Sequence, residues 1–200
     1  LRIYREEQLP IYERLENVQG QAATLGRIAD VLQVRGELDE ALRIYREKQL
    51  PVYELLGDLR ELAVTQGKIA DVLIARGELD EGLRLLKERA IPAVEKIGAM
   101  RDRAVFMGRV ADVLQARGEL DEALRIYREE QLPVYEHLGD VREQAVTLGK
   151  IANVLQARGQ VDEALRIRQK EELPVYERLG DVRSRAVTLG RIADMLQARG

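Results

Sequence analysis

The sequence predicts an all-α chain, an α-solenoid of antiparallel helix hairpins with about ten helices, on three observations. A motif recurs every 41 residues: Pro10, Pro51, Pro92, Pro133 and Pro174 keep that spacing, as do Gly36, Gly77, Gly118, Gly159 and Gly200. A fixed period of this length marks stacked supersecondary units. Each unit holds two runs in which apolar residues return every three or four positions, the signature of amphipathic helices. Period-two alternation is absent and β-branched residues are scattered, so strands find no support.

The copies arose by duplication. Residues 37–77 and 119–159 agree at 34 of 41 positions. No linker or low-complexity stretch interrupts them, so residues 1–200 are expected to form one repeat array in which each unit leans on its neighbours. The units run 18–57, 59–98, 100–139 and 141–180, with partial copies at both ends. A chain that opens at Leu1, partway through a unit, is expected to be a piece of something longer.

The first helix of a unit, helix A, is read from residues 140–158, where Ala145, Leu148, Ile151, Ala152 and Leu155 form one apolar stripe. Asp140 can cap it and Glu143 completes a capping-box pattern that recurs at Asp58 and Glu61. Gly159 then stops it. Helix B follows, with Leu120, Ala123, Leu124 and Tyr127 on one face and, beyond Pro133, Tyr135 and Leu138. Asp121 and Glu122 sit in its first turn, where negative charge offsets the helix dipole by about 0.3–1 kcal/mol. An interior proline removes a backbone hydrogen bond and costs ~3 kcal/mol in a straight helix. Either helix B kinks at Leu50-Pro51 and its equivalents, or it ends there and a short helix follows.

Composition narrows the function classes. With 32 basic and 35 acidic residues interspersed and a net charge of -3, the chain has no one-signed field for nucleic acid or an anionic membrane. Its apolar runs fall far short of the ~20 residues that span a bilayer. A soluble, cytoplasmic protein is expected. Zero cysteines exclude disulfides and thiolate metal sites. No serine elbow, phosphate-cradling glycine loop or HExxH occurs. His137, the sole histidine, has Arg14, Leu55, Lys96 and Arg178 at its equivalents and reads as a solvated surface residue. The acidic run Glu37-Leu38-Asp39-Glu40 reads as dipole compensation rather than a cation site. No enzyme activity, metal or cofactor is expected.

Val110, Ala111, Leu114, Gly118, Leu120, Ala123 and Tyr127, spaced as they stand, resemble the tetratricopeptide signature. The 41-residue unit is longer than the usual ~34. It resembles the extended variety of kinesin light chains and G-protein-regulator adaptors, with EHLGDVR (residues 136–142) similar to their inter-repeat segment. Several positions depart from the family. Alanine stands at 29, 70, 111, 152 and 193 where glycine is usual. Leu25, Gln66, Met107, Leu148 and Leu189 replace a bulky aromatic, and Lys48 and Glu130 replace a small alanine. The resemblance implies a right-handed superhelix whose inner, concave surface, lined mainly by A helices, holds a peptide or partner helix.

Helical geometry divides helix A into two faces. Leu25, Ile28, Ala29 and Leu32 point to the core. Opposite lies a ladder of basic, acidic and amide side chains: Arg27, Asp30 and Gln33; Lys68 and Asp71, with Ile74; Arg109, Asp112 and Gln115; Lys150, Asn153 and Gln156; Arg191, Asp194 and Gln197. In the family this face lines the groove, so these residues are the candidate peptide-binding set. Two readings stand for them: contact with a ligand, or pairing of each base with the acid three residues on, worth a few tenths of a kcal/mol. Asn153, which removes one negative charge, reads as drift or as tuning for a ligand.

Gly26, Gly67, Gly108, Gly149 and Gly190 lie mid-helix at ~1 kcal/mol each relative to alanine. Close approach of the neighbouring A helix is the preferred reason, with a ligand as the alternative. In the third unit Leu86 and Val94 replace tyrosines, Ala99 the capping aspartate, and Phe106 is the only phenylalanine. That pattern fits local repacking or a partner hot spot. The function expected is a non-catalytic protein- or peptide-binding scaffold. The alternatives are a segment that self-associates end to end, and a sensor or regulatory arm of a larger multidomain protein.

Overall fold

The computed structural model describes residues 1–199; Gly200, the last glycine of the 41-residue series, lies outside the described residues. These residues form ten helices and no strand. The A helices are α2 (Val18–Val34), α4 (Leu59–Ala75), α6 (Met100–Ala116), α8 (Val141–Ala157) and α10 (Val182–Arg199). The B helices are α1 (residues 3–14), α3 (38–56), α5 (79–96), α7 (120–137) and α9 (161–179). Two compact units, residues 1–106 and 107–200, divide the chain within α6.

The interior prolines do not break helix B. Just before each Leu-Pro or Ile-Pro step the helix widens into a π turn, at Ile3–Gln8, Tyr45–Gln49, Leu86–Ala90, Ile126–Gln131 and Arg168–Glu172. The residue ahead of the proline then bonds five residues back: Leu50 N–H to the Tyr45 carbonyl, Leu132 to Tyr127, Leu173 to Arg168. The wider turn accommodates a ring that would clash with the carbonyl four residues back. Helix B therefore continues through each proline by a widened turn rather than ending before it.

Both kinds of helix end by the same device. Gly36, Gly77, Gly118 and Gly159 close A helices, and Gly57, Gly98, Gly139 and Gly180 close B helices, all at positive φ. The next residue bonds back across the turn, as Glu37 N–H does to the Leu32 carbonyl at 2.9 Å and Asp58 N–H to the Tyr53 carbonyl at 3.1 Å. In the first copy Glu16 occupies this place with φ 51. Asp58, Asp140 and Asp181 cap their A helices by accepting from Glu61, Glu143 and Ser184 N–H, and Asn17 accepts from Gly20 N–H. The reciprocal half of the expected capping box is not used, because the N–H of Asp58 and of Asp140 is already taken by a tyrosine carbonyl.

In the first unit α2 and α4 pack against α3 and α5. Ile28, Ala29 and Leu32 meet Ala41, Leu42, Ile44 and Tyr45, then Ile69, Val72 and Leu73. In the second, α8 packs against α7 and α9 and α10 against α9, and Ile151, Ala152, Leu155, Ala164, Leu165 and Ile167 are buried. The apolar stripe read from the sequence is therefore the buried one, and Phe106, which stands beside it at the place of Thr24, is buried too, at 3% exposure. No described helix is long and apolar enough to cross a membrane.

Candidate partner-binding face of the A helices

The ladder residues lie on the side of the A helices away from this core. Gln33, Lys68, Asp71, Arg109, Gln115, Lys150 and Asn153 are half-buried, and Arg27, Gln156, Arg191, Asp194 and Gln197 are exposed. The acids are held by the next copy, not by their own helix. Asp30 accepts from Lys68 Nζ at 2.9 Å and from the Tyr45 hydroxyl at 2.6 Å. In the second unit Asp112 accepts from Lys150 Nζ at 2.6 Å and from the Tyr127 hydroxyl at 2.6 Å. Each lysine also sits over its tyrosine ring, 5.8 Å and 5.6 Å from the centroids. Pairing with the acid three residues along the same helix is not what holds Asp30 or Asp112. The A helix one copy on supplies the base, and the B helix adds a phenol.

Burial, then the hydrogen bond to a carboxylate, pushes both phenols well above the ordinary tyrosine range. Tyr45 and Tyr127 therefore act as fixed donors, and each relay locks its aspartate and lysine in a single arrangement on an open face.

The mid-helix glycines have a different reason from the one expected. A Cβ at Gly26 would collide with the Gln49 side-chain amide, and one at Gly108 with that of Gln131. At Gly149 it would meet Glu172 Oε1 at 2.9 Å. The missing side chain makes room for a long polar side chain from the unit's own B helix, not for a neighbouring A helix. Gly190 has nothing within 4 Å.

Asn153 belongs to a coordinated replacement. Arg168 stands where Tyr45 and Tyr127 do, and Glu172 where Gln49 and Gln131 do. Arg168 is fully buried. Its guanidinium donates to Glu172 Oε2 at 2.8 Å and to Asn153 Oδ1, while Thr188 Oγ1 donates to Glu172 Oε1 at 2.8 Å. Arg191 Nη1 donates to the same Asn153 oxygen at 3.1 Å. The sequence reading missed Arg168 and Glu172. The signal was present as a joint departure from the repeat at positions 153, 168 and 172. In the copy spanning 59–98 the places of Arg168 and Glu172 hold Leu86 and Ala90, and that of Tyr176 holds Val94, all three buried and apolar.

Five ladder residues, Asp112, Gln115, Lys150, Asn153 and Arg191, line one cleft of about 380 Å³ in the second unit, together with Glu172, Arg183 and Ser184. Elsewhere the acidic starts of the B helices engage arginines: Glu40 with Arg43 at 2.7 Å, and Asp39 with Arg76 at 3.0 Å. His137 is exposed.

A family model described as tetratricopeptide repeat matches residues 22–47, 111–129 and 152–170. The matched segments are tetratricopeptide repeats. Each takes in part of an A helix, the glycine turn and the first part of a B helix. The tetratricopeptide fold extends beyond them. The chain is similar to the crystal structure of a Podosopora anserina candidate kinesin light chain of nearly identical TPR-like repeats, with a TM-score of 0.71 and 20% identity over 89% of this chain and 86% of that one. It is also similar to BtubC (BKLC) from P. vanneervenii, with a TM-score of 0.71 and 16% identity over 96% of this chain and 88% of that one. At such identities the likeness is one of fold. Comparison with curated proteins gave no match. Tetratricopeptide repeats are typically non-catalytic scaffolds that mediate protein–protein interactions.

Proposed function

We propose that this chain binds an extended segment of a partner protein along the open face of its A helices, with the basic, acidic and amide ladder making the polar contacts. The observation that carries the reading is the set of relays through Asp30 and Asp112. Both fix charged side chains on a surface that the chain's own core does not use, from a buried phenol below and a lysine one copy along. Such preorganisation lowers the ordering cost of binding. Gln33, Gln115 and Gln156, with donor and acceptor on one amide, suit an extended backbone. Val64, Val105 and Val146 between the rungs leave space for it.

Asp112 also anchors a buried tyrosine, so its removal would confound binding with folding. Gln115 is the better probe. A photo-crosslinking residue at Gln115 or Gln33 should capture a partner from the source cell, whereas the same residue at exposed Glu129 on helix B should not. Gln115→Ala should weaken binding of that partner once purified. Equal capture at Glu129, or none at Gln115 and Gln33, would remove the A-helix face from consideration.

A further inference from the structure

A groove in the first unit runs between the B helices α3 and α5 with α4 as its floor, and neither the ladder nor its relays contribute to it. It encloses about 510 Å³. Leu50, Ile69 and Leu85 give it an apolar lining, with Ile69 buried. Gln66 stands among them, at a place that Leu25, Met107, Leu148 and Leu189 hold in other copies. Its side-chain oxygen is buried and accepts no hydrogen bond. A buried acceptor without a donor works against stability, and leucine in its place would not. The matching groove one copy back repeats the apolar lining with Leu9 and Ile28, and has Leu25 at that point.

Charge around the groove is balanced but only partly engaged. Arg46, Arg84 and Arg89 line it with Glu54, Glu81 and Glu88, three cations against three carboxylates. Arg46 donates to Glu81 at 2.8 Å, across the groove and 35 residues on. The same offset sets Arg89 opposite Glu54, yet among the described residues neither of these forms an ion pair. One end of the groove is therefore latched, while the other offers a separate cation and anion on facing helices.

We infer that this groove binds a small aliphatic α-amino acid as its zwitterion. The ammonium donates to the Gln66 oxygen and to Glu54, the carboxylate takes the guanidinium fork of Arg89, and the side chain lies against Leu50, Ile69 and Leu85. Each feature of the lining selects for one part of that ligand. A balanced rim gives a molecule of net charge no advantage. The floor oxygen requires an N–H or O–H donor. The leucines reward apolar surface, and the volume suits a small molecule. The site is independent of the A-helix face, so either reading can fail alone.

The test is equilibrium dialysis of the whole chain against isotopically labelled L-leucine. One saturable site per chain is expected, with a dissociation constant on the order of 1 mM for so small a ligand in an open groove. Leucinamide lacks the carboxylate, N-acetyl-leucine the ammonium and glycine the side chain, so none should displace the label where unlabelled leucine does. Gln66→Leu should weaken binding at least about tenfold, the worth of a hydrogen bond to a charged group. That variant should fold, because Leu25, Leu148 and Leu189 occupy this place in other copies. Arg89→Gln, on the exposed rim, should weaken binding similarly. Isoleucine or valine displacing the label more strongly than leucine would support the inference and name the preferred side chain. No saturable binding of leucine, unchanged affinity in either variant, or equal displacement by leucinamide, N-acetyl-leucine or glycine would overturn it.

Discussion

Arg168→Tyr is the substitution that most sharply tests the internal wiring of the repeat. It places a tyrosine where Tyr45 and Tyr127 stand, so local propensity and volume forecast little harm. The structure forecasts the opposite. Arg168 is fully buried and donates to Glu172 at 2.8 Å, with Glu172 itself 5% exposed. Removing one partner of a buried ion pair strands the other, at about 3–5 kcal/mol. Thr188 keeps one bond to Glu172, which puts the expected loss toward the lower end of that range. The triple variant Asn153→Asp, Arg168→Tyr, Glu172→Gln recreates the Asp30, Tyr45 and Gln49 set, with Arg191 in the role of Lys68. Replacing a whole buried pair is often neutral or stabilising by about 1–4 kcal/mol, so the triple variant should match or exceed the parent. Urea unfolding followed by circular dichroism measures both. If the triple variant loses as much as Arg168→Tyr alone, or the single costs simply add, the three positions are not a unit and the reasoning fails.

Tyr45→Phe should cost about 1.5–3 kcal/mol at neutral pH, the worth of a buried hydrogen bond to a charged group, read from the same urea curves. The raised phenols of Tyr45 and Tyr127 set an alkaline limit. The unfolded chain loses its phenolic protons first as pH climbs past the ordinary value of 10.0, so stability held below that point falls above it. Tyr45→Phe and Tyr127→Phe together should flatten this fall in a pH series of melts, and an unchanged slope would refute the assignment. Gly190→Ala should stabilise by roughly 1 kcal/mol through helix propensity. Gly26→Ala should destabilise, since overpacking costs about 1–3 kcal/mol against that same gain, with Gln49→Ala restoring it. Glu16→Gly should add about 1 kcal/mol by removing a side chain from the left-handed region, visible as a raised unfolding midpoint.

Helix A was legible almost to the residue, because a capping side chain and a positive-φ glycine bracket each run and both signals are local. The core stripe was equally plain, since Ile28, Ala29 and Leu32 recur at helical spacing in the other copies, with Val110 the one change. What escaped was set by neighbours distant along the chain. Arg27 and Asp30, three residues apart, suggested pairing within one helix. The observed partner of Asp30 is Lys68, and only the stacking of copies reveals it. Gly26 meets a side chain 23 positions on, in a different helix, so nothing near it hints at Gln49. Proline signalled disruption at a fixed place in helix B, yet whether the helix would bend, stop or widen depends on backbone bonds that residue identity does not encode.

The wiring between copies bears on how such a chain can grow and shrink. Positions 153, 168 and 172 belong to one copy, so the arginine set or the tyrosine set travels whole when a copy is duplicated or deleted at the Gly-Asp turns. From the next copy the aspartate sets draw a base, as Asp30 draws Lys68 and Asp112 draws Lys150, whereas Glu172 draws the Thr188 hydroxyl. Thr24, Thr65 and Thr147 stand at the place of Thr188 in other copies, but Phe106 does not supply a hydroxyl there. Unequal crossing-over could therefore rewrite the number and order of rungs one cassette at a time, with one restriction: the arginine set cannot precede the copy that carries Phe106 without stranding a buried carboxylate.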